Sequence, residues 1–313
     1  MPEVLITGGC GFIGSHLADA LLGQGFKVRV LDNLSNGSLE NLKVCDHGDE
    51  LTVINGNLTN TNLLDSAVKG CEAVFHLAAH ANVQNSARDT SIDLENNTLA
   101  THNLLESMRK NGVGRLMFAS SAAVYGESGL TVLDEDYGPL LPISLYGASK
   151  LAGEGLVSAY SHLYGLKATM FRFANVVGSR RRNGVIYDFV NRLKKDPAAL
   201  SVLGDGSQSK PYLHVSDCVA GILLGFEKST KTLGLYNLGT PDSVSVRDIA
   251  CMVASEMGLK NVCYSYEGGE RGWRGDAPQV RFDISRICSL GFKPRFSSLQ
   301  AVKLAIKETL KEI

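Results

Sequence analysis

The sequence has no surplus of charge of either sign. Its 313 residues include 31 Lys and Arg against 32 Asp and Glu, a formal net charge of −1. A basic nucleic-acid binder is therefore excluded, because neutralising phosphates takes an excess of cations. With 44% hydrophobic and 20% charged residues, the chain also lacks the low hydrophobicity and high net charge of disorder. No run reaches the ~18–20 apolar residues of a membrane helix. The opening MPEVLITGG has neither a charged region nor a long apolar one, so no secretory signal is expected. The cysteines, Cys10, Cys45, Cys71, Cys218, Cys251, Cys263 and Cys288, are odd in number and nowhere spaced as CxxC. The histidines form no HExxH. Reduced thiols in a cytoplasmic protein fit this pattern, and neither a disulfide framework nor a metal site is expected.

Strand-like and helix-like segments alternate through the first half of the chain. Val4 to Thr7, Val28 to Asp32, Thr52 to Asn55, Ala73 to Ala78 and Arg115 to Ser121 read as short apolar strands, and Leu166 to Val176 as a later one. Between the first two, Ile13, Leu17, Leu21 and Leu22 recur at helical spacing. Helices are also expected near Leu63 to Lys69 and Asn97 to Lys110. Parallel neighbours need a crossover, so the alternation predicts an α/β fold with a doubly wound parallel sheet. After about Val177 the rhythm breaks and Gly and Pro cluster, which predicts a smaller mixed α/β lobe. The expected division is 1–177 and 178–313, with chain crossings back to the first part allowed. The sequence contains no repeat, low-complexity tract or Ser/Gly-rich linker at that point.

The first strand runs directly into Thr7-Gly8-Gly9-Cys10-Gly11-Phe12-Ile13-Gly14. Gly9, Gly11 and Gly14 satisfy GxGxxG, and Gly8, Gly11 and Gly14 satisfy GxxGxxG. A helix N-terminus offers free N–H groups and the positive end of its dipole to a pyrophosphate, and glycine removes the Cβ that would block approach. The second strand ends in Asp32, whose carboxylate can accept from both hydroxyls of an adenosine ribose. An acid at that point repels a 2′-phosphate, so NAD is favoured over NADP.

Tyr146-Gly147-Ala148-Ser149-Lys150 is the only YxxxK in the chain. On a helix, i and i+4 share a face. An ammonium beside a phenol favours the phenolate, making a base fit to take a proton from a sugar hydroxyl. The strand that ends in Ser120 and Ser121 brings Ser121 to the carboxyl edge of the sheet, where ligands of such folds sit. There it is a candidate proton relay.

TGGCGFIGSHL, DNLSNG, HLAA, SSAAVYG, YGASK, RFANVVG, YLHVSD and RGWRGD together resemble the extended short-chain dehydrogenase/reductase family, in its NAD-dependent epimerase/dehydratase branch. The similarity runs from about Val4 to about Gly291 and is nearest to the UDP-hexose 4-epimerases. It implies a Rossmann-type domain followed by a UDP-sugar-binding lobe, bound NAD, and inversion at C4 through a transient 4-keto sugar. Tyr146 would be the base, Ser121 the relay, and Lys150 the residue that holds the nicotinamide ribose. The resemblance places Gly8, Gly11, Phe12, Ile13 and Gly14 on the pyrophosphate side of NAD. It places Asp32, Asn33, Ser35, Asn36 and Gly37 near the adenosine, and Asn57 and Leu58 at the adenine. Leu77, Ala78, Ala79, Asn97, Ser120 and Phe173 would complete the cofactor site. Asn175 would hold the sugar-nucleotide pyrophosphate, and His80, at a sugar-side position the family fills variably, would either contact the hexose or merely pack. Ser201, Val202 and Leu203 would bound the uracil, Lys210, Tyr212, Arg271 and Arg274 would meet the phosphates, and Asp276 would accept from the uridine ribose. A homodimer joined through the helices near Asn97 to Lys110 and Tyr146 to Leu163 is implied as well.

Some positions depart from the family pattern. Asn57 stands where Asp is usual, and Lys210-Pro211-Tyr212 where Arg-Asp-Tyr is usual. Arg180-Arg181-Arg182 reads first as a solvated charge run, and alternatively as recognition of an acidic sugar. Sister dehydratases carry Asp-Glu near SSAAVYG and UDP-glucuronate decarboxylases a Glu before VYG, where this chain has Ser121-Ala122-Ala123. Both reactions are thereby demoted, while a UDP-glucuronate 4-epimerase stays open. A non-catalytic NAD-binding scaffold is disfavoured by the complete Ser121, Tyr146 and Lys150 set. Val280, near a family gatekeeper position, is small enough to admit an N-acetyl group.

Overall fold

The computed structural model describes residues 1–42 and 48–313, so Cys45 lies outside the described residues. The first strands are β1 (Glu3–Thr7), β2 (Lys27–Asp32), β3 (Leu51–Asn55), β4 (Ala73–His76) and β5 (Arg115–Ser121). They alternate with helices α1 (Phe12–Gly23), α2 (Thr61–Val68) and α3 (Ala100–Lys110). Helix α4 (Leu145–Tyr164) then leads to strand β6 (Lys167–Phe173). The expected strand from Leu166 to Val176 is broken at Ala174, and Asn175–Val177 forms a separate strand, β7. Further on lie α5 (Val185–Lys195), β8 (Ala199–Val202), β9 (Tyr212–His214), α6 (Val215–Lys228), β10 (Leu233–Leu238), α7 (Val246–Glu256), β11 (Cys263–Tyr266) and α8 (Ser298–Glu312).

The main sheet has seven strands in the order β10-β6-β5-β4-β1-β2-β3, all parallel. The chain leaves β1 toward β2 and β3, then returns to β4 on the other side. That reversal opens a crevice above the carboxyl ends of β1 and β4, where Thr7 is in register with Leu31 and His76. Strand β10 is added from the second half of the chain and pairs with β6.

The period of two along β1 explains the layering. Val4 and Ile6 turn to one face with Leu17 and Leu21 of α1 and Ile222 of α6. Leu5 turns to the other with Leu64 of α2, Leu104 of α3 and Val157 of α4. Truncating any of these buried leucines to alanine costs about 2–5 kcal/mol. A third core joins Ile186 and Phe189 of α5, Ile249 and Val253 of α7, and Val302 of α8. Two short parallel pairs, β7 with β9 and β8 with β11, frame this lobe and set Asn175 opposite Tyr212.

The helix termini follow local chemistry. Ser144 caps α4 by accepting from Gly147 N–H at 3.1 Å, and Gly165 ends it in the left-handed region. Helix α1 starts after Gly11 with no side-chain cap, so its first N–H groups stay open. Before α3 the chain makes a π-helical turn over Leu94–Leu99, a wider winding common at functional sites, and Asn97 sits within it. No helix among the described residues is long and apolar enough to cross a membrane. No group of three or more His, Cys, Asp or Glu among them could hold a metal ion.

Candidate active site

The glycine turn leaves a cradle that larger residues would fill. A Cβ on Gly14 would stand 2.2 Å from the Gly8 carbonyl oxygen, and one on Gly8, at φ +73°, 2.7 Å from Ala78 N. Asp32 is buried at the end of β2, where its carboxylate accepts from Cys10 N–H at 2.9 Å and Leu34 N–H at 2.8 Å. Each oxygen keeps a lone pair for a further donor. Asn33 accepts from Ser35, Gly37 packs on the backbone of Cys10, and Asn36 lies between them. Asn57 makes a turn by accepting from Thr59 N–H at 3.0 Å, with Leu58 buried beside it. Leu77 and Ala78 N–H donate to Thr7, and Ala79 follows at the rim. Phe12 and Ile13 open α1, and Phe173 is buried at the end of β6. The open helix terminus, the cradle and the buried acid at the end of β2 fit NAD.

Tyr146 and Lys150 stand one turn apart on α4, across from the end of β5. The Ser121 hydroxyl at the end of β5 is the polar neighbour of the Tyr146 phenol. Burial pushes the phenol's pKa up to about 12, the Ser121 hydroxyl pulls it down, and the Asp93 carboxylate raises it further. Lys150 is buried, donates to Ala119 O at 2.8 Å and lies 5.9 Å from the Tyr146 ring. Burial lowers its pKa to about 8, with Asp93 acting in the opposite sense. One of its three N–H donors is used by Ala119, which leaves two for a ligand. Ser120 turns the other way and donates to Glu154 at 2.5 Å.

In the second lobe a cavity of about 480 Å³ is walled by Asn175, Leu203, Lys210, Tyr212 and Asp276, with Arg181 at one end. Lys210 is ion-paired with Asp276. The cavity excludes four expected residues from its lining: Ser201, Val202, Arg271 and Arg274. Val202 is buried in the third core, and Ser201 Oγ lies 3.4 Å from Glu267. Arg271 is tied to Glu127 and to the Asp276 carbonyl, and Arg274 is exposed. Val280 is buried in the first core.

The model of the NAD dependent epimerase/dehydratase family matches residues 4–239. The chain belongs to that family. It is 32% identical over 309 residues to a putative UDP-glucose 4-epimerase of Methanocaldococcus jannaschii, covering 97% of each chain. It superposes on a crystal structure of a UDP-galactose 4-epimerase with a TM-score of 0.88 at 35% identity, covering 99% of both chains. A similar match, TM-score 0.87 and 32% identity over 99% of this chain and all of the other, is MoeE5 in complex with UDP-glucuronic acid and NAD. NAD is the cofactor of this family member.

Three features of this epimerase/dehydratase family member lie beyond sequence motifs. Of the three consecutive arginines, Arg182 is exposed and Arg180 pairs with Asp19 at 2.7 Å. Arg181 departs from a solvated run: it donates only to Asn183, lies 5.7 Å from the Phe12 ring and has no carboxylate partner among the described residues. Burial pulls its pKa down. Behind Ser120, Glu154 and Arg172 form a buried two-point ion pair at 2.9 and 2.7 Å, with Arg172 over the Tyr125 ring. Under the cofactor groove, His76 joins Thr7 at 2.7 Å and Thr101 at 3.0 Å. The Thr101 hydroxyl donates to Asn97 O, so His76 Nε2 carries the proton and Nδ1 accepts from Thr7. Burial drives the His76 pKa to about 3, so it stays neutral.

Proposed function

We propose that this protein inverts C4 of a UDP-hexose, of the glucose/galactose series or its N-acetyl counterpart, through a transient 4-keto sugar. The observation that carries the reading is the buried Lys150 one turn from Tyr146 on α4, with Ser121 at the end of β5 across from them and the dinucleotide cradle beside them. Bound NAD would supply the hydride acceptor and donor for C4, and its oxidised ring would favour a phenolate at Tyr146. Tyr146 accepts the C4 hydroxyl proton, with Ser121 as the relay between sugar and phenol. Lys150 uses its free donors on the nicotinamide ribose and favours the phenolate by its charge. The keto sugar turns about its diphosphate, and the proton returns from Tyr146 as the opposite face is reduced. Asn175 and Lys210 hold the diphosphate end, with Tyr212 and Leu203 along the nucleotide.

The experiment is incubation with UDP-glucose, UDP-N-acetylglucosamine and UDP-glucuronate, followed by NMR. A C4 epimer of a neutral sugar supports the reading. A 4-keto-6-deoxy sugar or carbon dioxide in place of any epimer overturns it, and Ser121-Ala122-Ala123 offers no carboxylate for either route. One observation favours a second substrate series. Arg181 is a half-buried cation lining the cavity with no acidic partner among the described residues, and the similar MoeE5 was solved with UDP-glucuronic acid. If the uronate is the substrate, Arg181→Gln raises its KM far more than that of UDP-glucose. We also propose a homodimer through α3 and α4, whose flanks expose Leu99, Leu163 and Tyr164. Light scattering at the mass of one chain would refute it.

A further inference from the structure

Asp93 was singled out by no motif, yet a chain of hydrogen bonds joins it to the helix that carries Tyr146 and Lys150. It is 1% exposed and ends the short helix before the π-helical turn. Its Oδ1 accepts from His80 Nδ1 at 2.9 Å and from Asn97 Nδ2 at 3.3 Å. Asn97 also donates to Ser149 Oγ at 2.9 Å, and Ser149 donates to the Tyr146 carbonyl at 2.8 Å. His80 N–H and C=O are both bound by the same Asn97 amide, at 2.7 and 3.1 Å. A hydrogen-bonded frame thus ties the carboxylate to the helix that carries Tyr146 and Lys150. Its other oxygen, Oδ2, is buried with no hydrogen-bond partner among the described residues. A carboxylate held in this way keeps its field unquenched on that side.

We propose that Asp93 is a positioning residue of the C4 epimerisation site, whose buried carboxylate sets the pH range in which Tyr146 and Lys150 reach their working charges. The proposal rests on the function proposed above. Charged and titratable groups facing the pair come from several elements. Asp93 and His80 face it from the π-helical turn and the loop after β4, and neutral His76 from β4. Glu154 lies on α4 itself, engaged by Arg172. Among the described residues, Asp93 is thus the carboxylate of the set with no arginine or lysine ion pair, held instead by His80 and Asn97. It disfavours the Tyr146 phenolate and favours the Lys150 ammonium, as the directions of both pKa values agree. Both effects move the working range toward higher pH.

Asp93→Asn keeps an oxygen that accepts from His80 and removes the charge. In the NAD-loaded enzyme, both limbs of the pH profile of kcat should move to lower pH by about one unit. A role in structure alone would lower kcat at every pH and leave the limbs in place, which would overturn the proposal. Phenolate absorbance, taken as the difference between NAD-loaded Asp93→Asn and its Tyr146→Phe counterpart, reports the same shift without turnover. A shift there without epimerisation upholds Asp93 and removes only the assigned reaction. Asp93→Ser carries the same expectation if the asparagine variant does not accumulate. Insolubility of both would assign the residue to folding and also overturn the proposal.

Discussion

Replacing Tyr146 by Phe removes one oxygen from the site, and the surroundings fix what that oxygen is worth. The phenol is neutral before the site is loaded, because burial holds its pKa near 12. The substitution therefore changes no charge in the cofactor-free protein. Its structural cost is the polar contact with Ser121, at most ~1 kcal/mol net. NAD binding should stay within about threefold, since the cradle at Gly8 to Gly14 and the buried Asp32 are untouched. Turnover should fall by about 10²–10⁴, or about 3–5 kcal/mol on the barrier, the usual worth of a positioned acid or base. The assay is initial-rate NMR on the best UDP-sugar of the panel, with bound NAD measured after heat release. Activity above about one tenth of the parent would refute the assignment of Tyr146 as base. Loss of NAD with the activity would move Tyr146 from proton transfer to cofactor binding.

Gly14→Ala puts a Cβ 2.2 Å from the Gly8 carbonyl, so NAD retention should drop more than tenfold while far-UV circular dichroism is kept; unchanged retention would show that the turn yields. Glu154→Gln leaves the buried Arg172 guanidinium without its counter-charge, at a cost of about 3–5 kcal/mol and ~6–12 °C in melting temperature; a fall under about 2 °C would contradict the ion pair. His76 is neutral when folded and free to take a proton when unfolded. The unfolded chain then binds more protons below pH 6.5, and stability drops with pH by about 1.4 kcal/mol per unit until about pH 3. Urea midpoints at pH 7 and 4.5 should separate less in His76→Gln than in the parent, and equal separation would remove His76 from the acid response.

What could be read in the sequence is what is local. The glycine turn, Asp32 at a strand end and the Tyr146/Lys150 spacing each fall within a short window, and backbone geometry does the rest. The parallel sheet was legible for the same reason, through alternation of periods two and 3.6. Leu166 to Val176 misled because an apolar run carries no mark of where the chain changes sheets. Arg181 was hidden by its neighbours: three consecutive arginines look alike until packing sends one to Asp19, one to solvent and one into the cavity. Lys210, Arg271 and Asp276 show the converse, since their mutual and outside pairings depend on contacts as distant as Glu127. Glu154 with Arg172, and Asp93 with His80, could not be inferred from spacing; a charged residue amid apolar neighbours was their only trace.

The seventh strand of the main sheet is supplied by Leu233–Leu238, beyond the residues that line one wall of the cavity. During synthesis, the edge of Lys167–Phe173 thus waits for about sixty more residues before it is capped. Over that interval a row of backbone donors and acceptors is open to any other extended segment. The bond from Tyr125 to Asn237, 2.7 Å long, joins only once the late strand arrives. Ribosomal pausing or premature termination between residues 177 and 233 should therefore yield sticky nascent chains.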